Sequence, residues 1–134
     1  KAPKYAEINC RESGSTLRFL IPVCAALGVE AVFTGSGQLP TRPITPYIEE
    51  FPKHGVNFVS DVFPYHIKGK LTAGVFPVTG SISSQFITGL MFAMPLLDGA
   101  STIMLTSPLQ SKPYADITVN VMRSFGIETL EHDV

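Results

Sequence analysis

Apolar positions along this chain gather in two long, nearly unbroken stretches, separated by shorter segments that alternate or lie on one side. Residues 5–10 read as a strand. From 17 to 27 every position except Arg18 is apolar, which predicts a helix buried on all faces, with a kink at Pro22. Glu30–Thr34 reads as a strand, and 35–42 is a polar, glycine-rich loop. Pro43 suits the first turn of a helix that carries Tyr47, Ile48 and Phe51 on one side, and Gly55 stops it. Val56–Ser60 and residues 65–70 follow as strands.

The order then begins again. Val75–Val78 reads as a strand, a serine-rich turn follows, and residues 84–97 predict a second all-apolar helix. Residues 102–106 form a strand. Lys112-Pro113 opens a helix whose stripe is Tyr114, Ile117, Val121 and Phe125, with Asp116, Asn120 and Arg123 opposite. Gly126 ends it, and 127–130 read as a strand. Arg18-Phe19 answers Gln85-Phe86, Arg42-Pro43 answers Lys112-Pro113, and Gly55-Val56 answers Gly126-Ile127. An offset of about seventy residues is a repeat of one supersecondary unit. The expected fold class is α/β (α+β), built from repeated βαβαββ units with buried central helices. The first unit spans 1–72 and the second 73–134, which stops before its last strand. The chain as a whole therefore reads as a partial lobe of something longer.

Composition narrows the partners. The 134 residues are 45% hydrophobic, enough for a real core, and the formal net charge is −1. Lysine and arginine form no cluster, which argues against nucleic acid or an anionic membrane. The apolar runs are too interrupted to span a bilayer. Cys10 and Cys24 read as buried thiols, and neither has metal-ligand spacing to His54, His66 or His132, so no metal or cofactor is expected. A cytoplasmic, reduced setting follows.

The segment richest in candidate chemistry is Gly80-Ser81-Ile82-Ser83-Ser84-Gln85-Phe86. A glycine, three hydroxyls and an amide at a strand-to-helix turn suit an anion, since free backbone N–H groups and the positive end of the helix dipole lie there. On the residues alone a serine capping the helix is the commoner arrangement and the favoured reading. Arg18, in an apolar helix, must find an anionic partner or a carbonyl, and a structural ion pair is the expectation. Asp61, Asp98 and Asp116 are not paired in sequence with a base or nucleophile, so no catalytic residue is assigned in this stretch.

Three segments resemble the 5-enolpyruvylshikimate-3-phosphate synthase family: Ser13-Gly14-Ser15-Thr16-Leu17-Arg18-Phe19, the Ser83-Ser84-Gln85 turn, and Ser111-Lys112-Pro113-Tyr114-Ala115-Asp116-Ile117-Thr118. They occur in the family's order and cover almost the whole chain. The resemblance implies an enolpyruvyl transferase-like lobe of three repeated units, a second lobe elsewhere, and shikimate 3-phosphate and phosphoenolpyruvate as substrates. It implies that Ser83, Ser84 and Ser111 donate to the phosphate of shikimate 3-phosphate, that Gln85 lies between the two substrates, and that Tyr114 contacts the shikimate part. Tyr114 reads equally as a core aromatic on its helix stripe. Gly14 and Ser15 match the residues beside phosphoenolpyruvate. The sequence departs from the family at Glu12, where asparagine is usual. It also departs in the loop that normally carries an arginine for phosphoenolpyruvate, where counting back from Arg42-Pro43 puts Gln38. Either Arg42 substitutes, or phosphoenolpyruvate is held less tightly, or the loop register differs. Alone, the stretch is expected to bind weakly and catalyse nothing. Two other readings stand beside this one. One is the sister UDP-N-acetylglucosamine enolpyruvyl transferase, although the loop 35–42 lacks that family's cysteine. The other is a non-catalytic binding module of the same fold.

Overall fold

A computed structural model describes residues 2–110 and 112–130. The first half runs β1 (Tyr5–Asn9), α1 (Gly14–Leu27), β2 (Glu30–Thr34), α2 (Thr45–Glu50), β3 (Val56–Ser60) and β4 (Tyr65–Gly69). The second runs β5 (Val75–Val78), α3 (Ser84–Ala93), β6 (Thr102–Leu105) and α4 (Lys112–Ser124). Four strands form one sheet in the order β1-β2-β4-β3. β1 and β2 are parallel with Tyr5 opposite Glu30, and the remaining pairings are antiparallel. β5 and β6 form a separate parallel pair.

Both all-apolar helices are interior, as their lack of a polar face predicts. Neither shows an exposed side along most of its length. They pack on one another where Phe19 meets Phe92 edge to face, with centroids 5.4 Å apart. At Gly89 the backbones come so close that an added Cβ would lie 2.5 Å from the Arg18 carbonyl oxygen and 3.0 Å from Pro22 Cγ. Leu17, Ile21, Phe33, Leu39, Phe51, Ile67 and Phe76 fill the core around them.

Pro22 sits inside α1. Having no N–H, it leaves the carbonyl of Arg18, four residues back, without its helical donor. Tyr47, buried on α2, donates its hydroxyl to that carbonyl at 2.6 Å. The proline is thus answered by a hydrogen bond from a neighbouring helix, which also fixes the backbone of Arg18.

Four boundaries or faces differ from expectation. α2 begins at Thr45 rather than at Pro43, with Pro46 in its first turn. α3 ends at Ala93 and tightens into a 3₁₀ turn, Met94–Leu96, because Pro95 cannot continue the α-helical ladder. Residues 127–130 are not a strand. Their counterpart β3 pairs with β4, whereas no described strand pairs with residues 127–130. α4 turns the other way round. It buries Ala115, Thr118, Val119 and Met122, while Tyr114, Ile117, Val121 and Phe125 are exposed. The small face wins because it is the one that meets α3, where Thr88 and Thr118 hydroxyls lie 3.3 Å apart.

Candidate functional site

The N-termini of α1 and α3 are built alike. Ser13 caps α1, its hydroxyl accepting the Thr16 N–H at 3.0 Å, and Ser83 caps α3, accepting the Gln85 N–H at 3.2 Å. Counted from these caps, Gln85 corresponds to Ser15 rather than to Arg18, an offset of 70 residues instead of 67. The two equivalent residues meet: Gln85 Nε2 donates to Ser15 Oγ at 2.8 Å. Both helix starts therefore face one place. Partial positive charge from two helix dipoles gathers there, which favours an anion.

Arginines add full charges. Arg18 is 5% exposed, yet it has no carboxylate partner among the described residues, so the expected ion pair is absent. Its guanidinium donates to Gln85 Oε1 at 3.1 Å and to the Pro43 carbonyl at 3.0 Å. It also lies 4.5 Å from the centroid of the Phe86 ring. Its Nε has no hydrogen-bond partner among the described residues. Burial first, and then the like charge of Arg42, pull the Arg18 guanidinium below its ordinary pKa. Such a side chain stays protonated nonetheless, so the interior here carries a cation satisfied only by neutral acceptors.

Arg42 completes the group. A Cβ on Gly14 would stand 3.0 Å from its Nη2 and 3.2 Å from its Cζ, so the guanidinium lies directly on that glycine. A side chain here would press on the guanidinium, which would have to give way by a few tenths of an ångström. Loop geometry brings Arg42 in. Leu39 is buried within a 3₁₀ turn, Leu39–Thr41, and the Arg42 N–H closes that turn on the Leu39 carbonyl at 2.9 Å. The Ser36 N–H donates to the Arg11 carbonyl at 2.8 Å, tying the loop to the segment before α1. Gln38, by contrast, is exposed, and among the described residues only its backbone carbonyl is engaged, by Thr41.

The serine-rich turn is clasped by the loop that enters α4. The Gly80 N–H donates to Ser107 Oγ at 2.9 Å, and the Gly80 carbonyl accepts from Gln110 N–H at 2.8 Å. Thr79 Oγ1 lies 2.8 Å from both Ser81 Oγ and Ser107 Oγ. A Cβ on Gly80 would be 2.5 Å from the Pro108 carbonyl oxygen, so only glycine permits this approach. Ser84 is buried at the first position of α3, and Ser83 is exposed as its cap. Ser111 lies outside the described residues. Tyr114 is 64% exposed on the first turn of α4, and its hydroxyl has no partner among the described residues. The structure thus joins Ser15 and Arg18 to Gln85 and Arg42 to Gly14, places Ser83 and Ser84 on the turn just before Gln85, and leaves the Gln38 and Tyr114 side chains exposed. The signal for Arg18 was in the sequence: a cation in an apolar helix four residues before a proline.

A family model described as EPSP synthase (3-phosphoshikimate 1-carboxyvinyltransferase) matches residues 1–133. The chain belongs to the EPSP synthase family. A 3-phosphoshikimate 1-carboxyvinyltransferase of Clostridium novyi is 46% identical over 123 residues, covering 90% of this chain and 28% of the relative. One of Brachyspira hyodysenteriae is 45% identical over 130 residues, covering 97% and 31%. An EPSP synthase structure from Acinetobacter baumannii superposes with a TM-score of 0.77 at 21% identity, over 98% of this chain and 29% of that one. The fold is therefore the α/β fold of EPSP synthases. This chain spans about three-tenths of the length of the relatives it matches. Among the described residues no group of three or more histidine, cysteine, aspartate or glutamate side chains could hold a metal, and no helix is long and apolar enough to cross a membrane.

Proposed function

We propose that this chain is part of a two-lobed carboxyvinyl transferase. The enzyme moves the enolpyruvyl group of phosphoenolpyruvate to the 5-hydroxyl of shikimate 3-phosphate and releases phosphate. Residues 1–72 and 73–134 are then two of the repeated units of one lobe. The observation that carries this reading is the meeting of two helix starts, Arg18 and Arg42 around Ser15 and Gln85, in a chain of the EPSP synthase family.

Each residue has a physical part. Ser83, Ser84 and Ser111 donate hydroxyls to the phosphate of shikimate 3-phosphate beside the N-terminus of α3, where free backbone N–H groups supplement them. Gln85 lies between the substrates. Tyr114, exposed on α4, reaches the shikimate part. Phosphoenolpyruvate carries a carboxylate and a phosphate, and it sits against Gly14 and Ser15. Arg42 offers it a planar, two-pronged donor, which a glutamine at position 38 cannot reproduce. The acid/base groups belong to the rest of the protein. Within this chain Asp116 is held by Lys112 at 2.8 Å, and no carboxylate is hydrogen-bonded into the Gly14–Gln85 group among the described residues.

The test is a titration of the full-length protein, followed by phosphate release. Release is expected only when both substrates are present. Shikimate 3-phosphate added alone is expected to shift the backbone amide resonances of Ser84 and Gln85. Phosphate release that proceeds without shikimate 3-phosphate, or amide shifts matched by equal inorganic phosphate, would overturn the assignment.

A further inference from the structure

We propose that Arg18 is a positioning residue that sets the donor polarity of the site, by fixing which end of the Gln85 amide faces the bound anion and by anchoring the backbone that carries Arg42. The inference rests on the functional reading above.

A guanidinium has five N–H groups and no acceptor. Whatever touches it at hydrogen-bond distance must present an oxygen, so Gln85 is obliged to turn Oε1 toward Arg18, 3.1 Å away. The amide is planar, and its NH2 then faces the opposite way, toward Ser15 Oγ at 2.8 Å. One N–H is used by Ser15 and the second is left for the ligand. Without Arg18 nothing on that side distinguishes the two ends of the amide. A flipped Gln85 would offer an anion its oxygen, which repels it.

The other prong of the fork does the second task. Its Nη2 donates to the Pro43 carbonyl at 3.0 Å, and Pro43 directly follows Arg42. One rigid, planar group therefore fixes two elements, at Pro43 and at Gln85, that lie 42 residues apart in the chain. Arg18 is itself fixed from behind, because Tyr47 holds its carbonyl at 2.6 Å and the Phe86 ring lies under its guanidinium. All its partners are neutral, so no carboxylate cancels its charge, and its burial keeps it from solvent. A lysine would keep the charge. As a point donor on a flexible stem it would not hold both acceptors in one plane.

Arg18→Lys and Arg18→Met, made in the full-length protein, test this. Both are expected to raise KM for phosphoenolpyruvate by about tenfold, the effect of losing one charge-assisted hydrogen bond. Shikimate 3-phosphate KM and the melting temperature of Arg18→Lys should stay close to those of the parent. The increase should largely vanish in a Gln85→Ala, Arg42→Ala background, because Arg18 acts through those two side chains. If lysine restores KM for phosphoenolpyruvate, the residue acts by charge alone and the proposal fails. It fails equally if the effect adds in full to that of Gln85→Ala and Arg42→Ala. A readout independent of activity uses glutamine selectively labelled with 15N. The Gln85 side-chain NH2 resonances are expected to move in Arg18→Lys in the absence of any ligand. Unchanged resonances would sink the positioning role even in an active enzyme. A parent protein whose turnover does not depend on phosphoenolpyruvate would sink the functional reading instead.

Discussion

Replacing Arg42 by alanine is expected to raise KM for phosphoenolpyruvate in the full-length protein by roughly 30- to 100-fold, corresponding to about 2–3 kcal/mol of charge-assisted hydrogen bonding. The guanidinium lies on Gly14, beside the start of α1, and no carboxylate competes for it among the described residues. Its loss removes both a charge and a two-pronged donor. Gln38→Arg is expected to change that constant by no more than about twofold, as for an exposed side chain with no hydrogen bond among the described residues. Steady-state kinetics on the two variants separate the residues directly. A severe Gln38 variant beside a mild Arg42 variant would mean that the loop 35–42 has a different register in solution.

Gly89→Ala is the second large effect. An alanine in a helix interior ordinarily gains about 1 kcal/mol over glycine. Here the new methyl would stand 2.5 Å from the Arg18 carbonyl oxygen and 2.5 Å from the Tyr47 hydroxyl. Overpacking costs about 1–3 kcal/mol, and separating Tyr47 from Arg18 leaves buried polar groups unpaired at about the same cost again. The clash wins. A net loss of about 2–4 kcal/mol is expected, lowering Tm by on the order of 10 °C. Thermal unfolding at the parent's Tm would show that α1 and α3 are further apart than described.

Most of the fold was legible because local signals and burial agreed. The stretches around Leu17–Arg18–Ile21 and Phe86–Leu90 have no polar face, so they had to be interior, and both are. Gly28 and Gly55 end their elements with φ of 73° and 87°, where other residues are strained. The misreadings arise where the answer depends on a partner distant in sequence. α4 carries a large apolar stripe and a small one, and only the presence of α3 decides that Ala115, Thr118 and Val119 turn inward. Residues 127–130 have strand composition, but no strand among the described residues pairs with them. At the candidate site, the serine cap and Gln85 could be read from the segment itself. Arg42 stood there as one alternative to Gln38, but the choice between them could not be read, because counting back from a motif says nothing about how a 3₁₀ turn shortens the loop. Arg18 was visible as an anomaly, but its neutral partners, Gln85 and Pro43, come from other elements.

The two sheets differ in a way that bears on how the chain opens. β2 and β4 lie inside a four-stranded sheet and are hydrogen-bonded on both sides, whereas among the described residues β5 and β6 pair only with each other. A two-stranded parallel pair is marginal by itself and owes its persistence to whatever covers it. Native-state amide exchange should therefore resolve two cooperative units. The β5–β6 protons are expected to exchange through a partial opening at lower free energy than those of β2 and β4. The turn that carries Ser83 and Ser84 leads directly out of β5, so the part of the candidate site proposed to hold the phosphate is expected to open with that unit. A ligand bound there would slow exchange across the β5–β6 pair, and its binding energy would be spent partly on closing that unit.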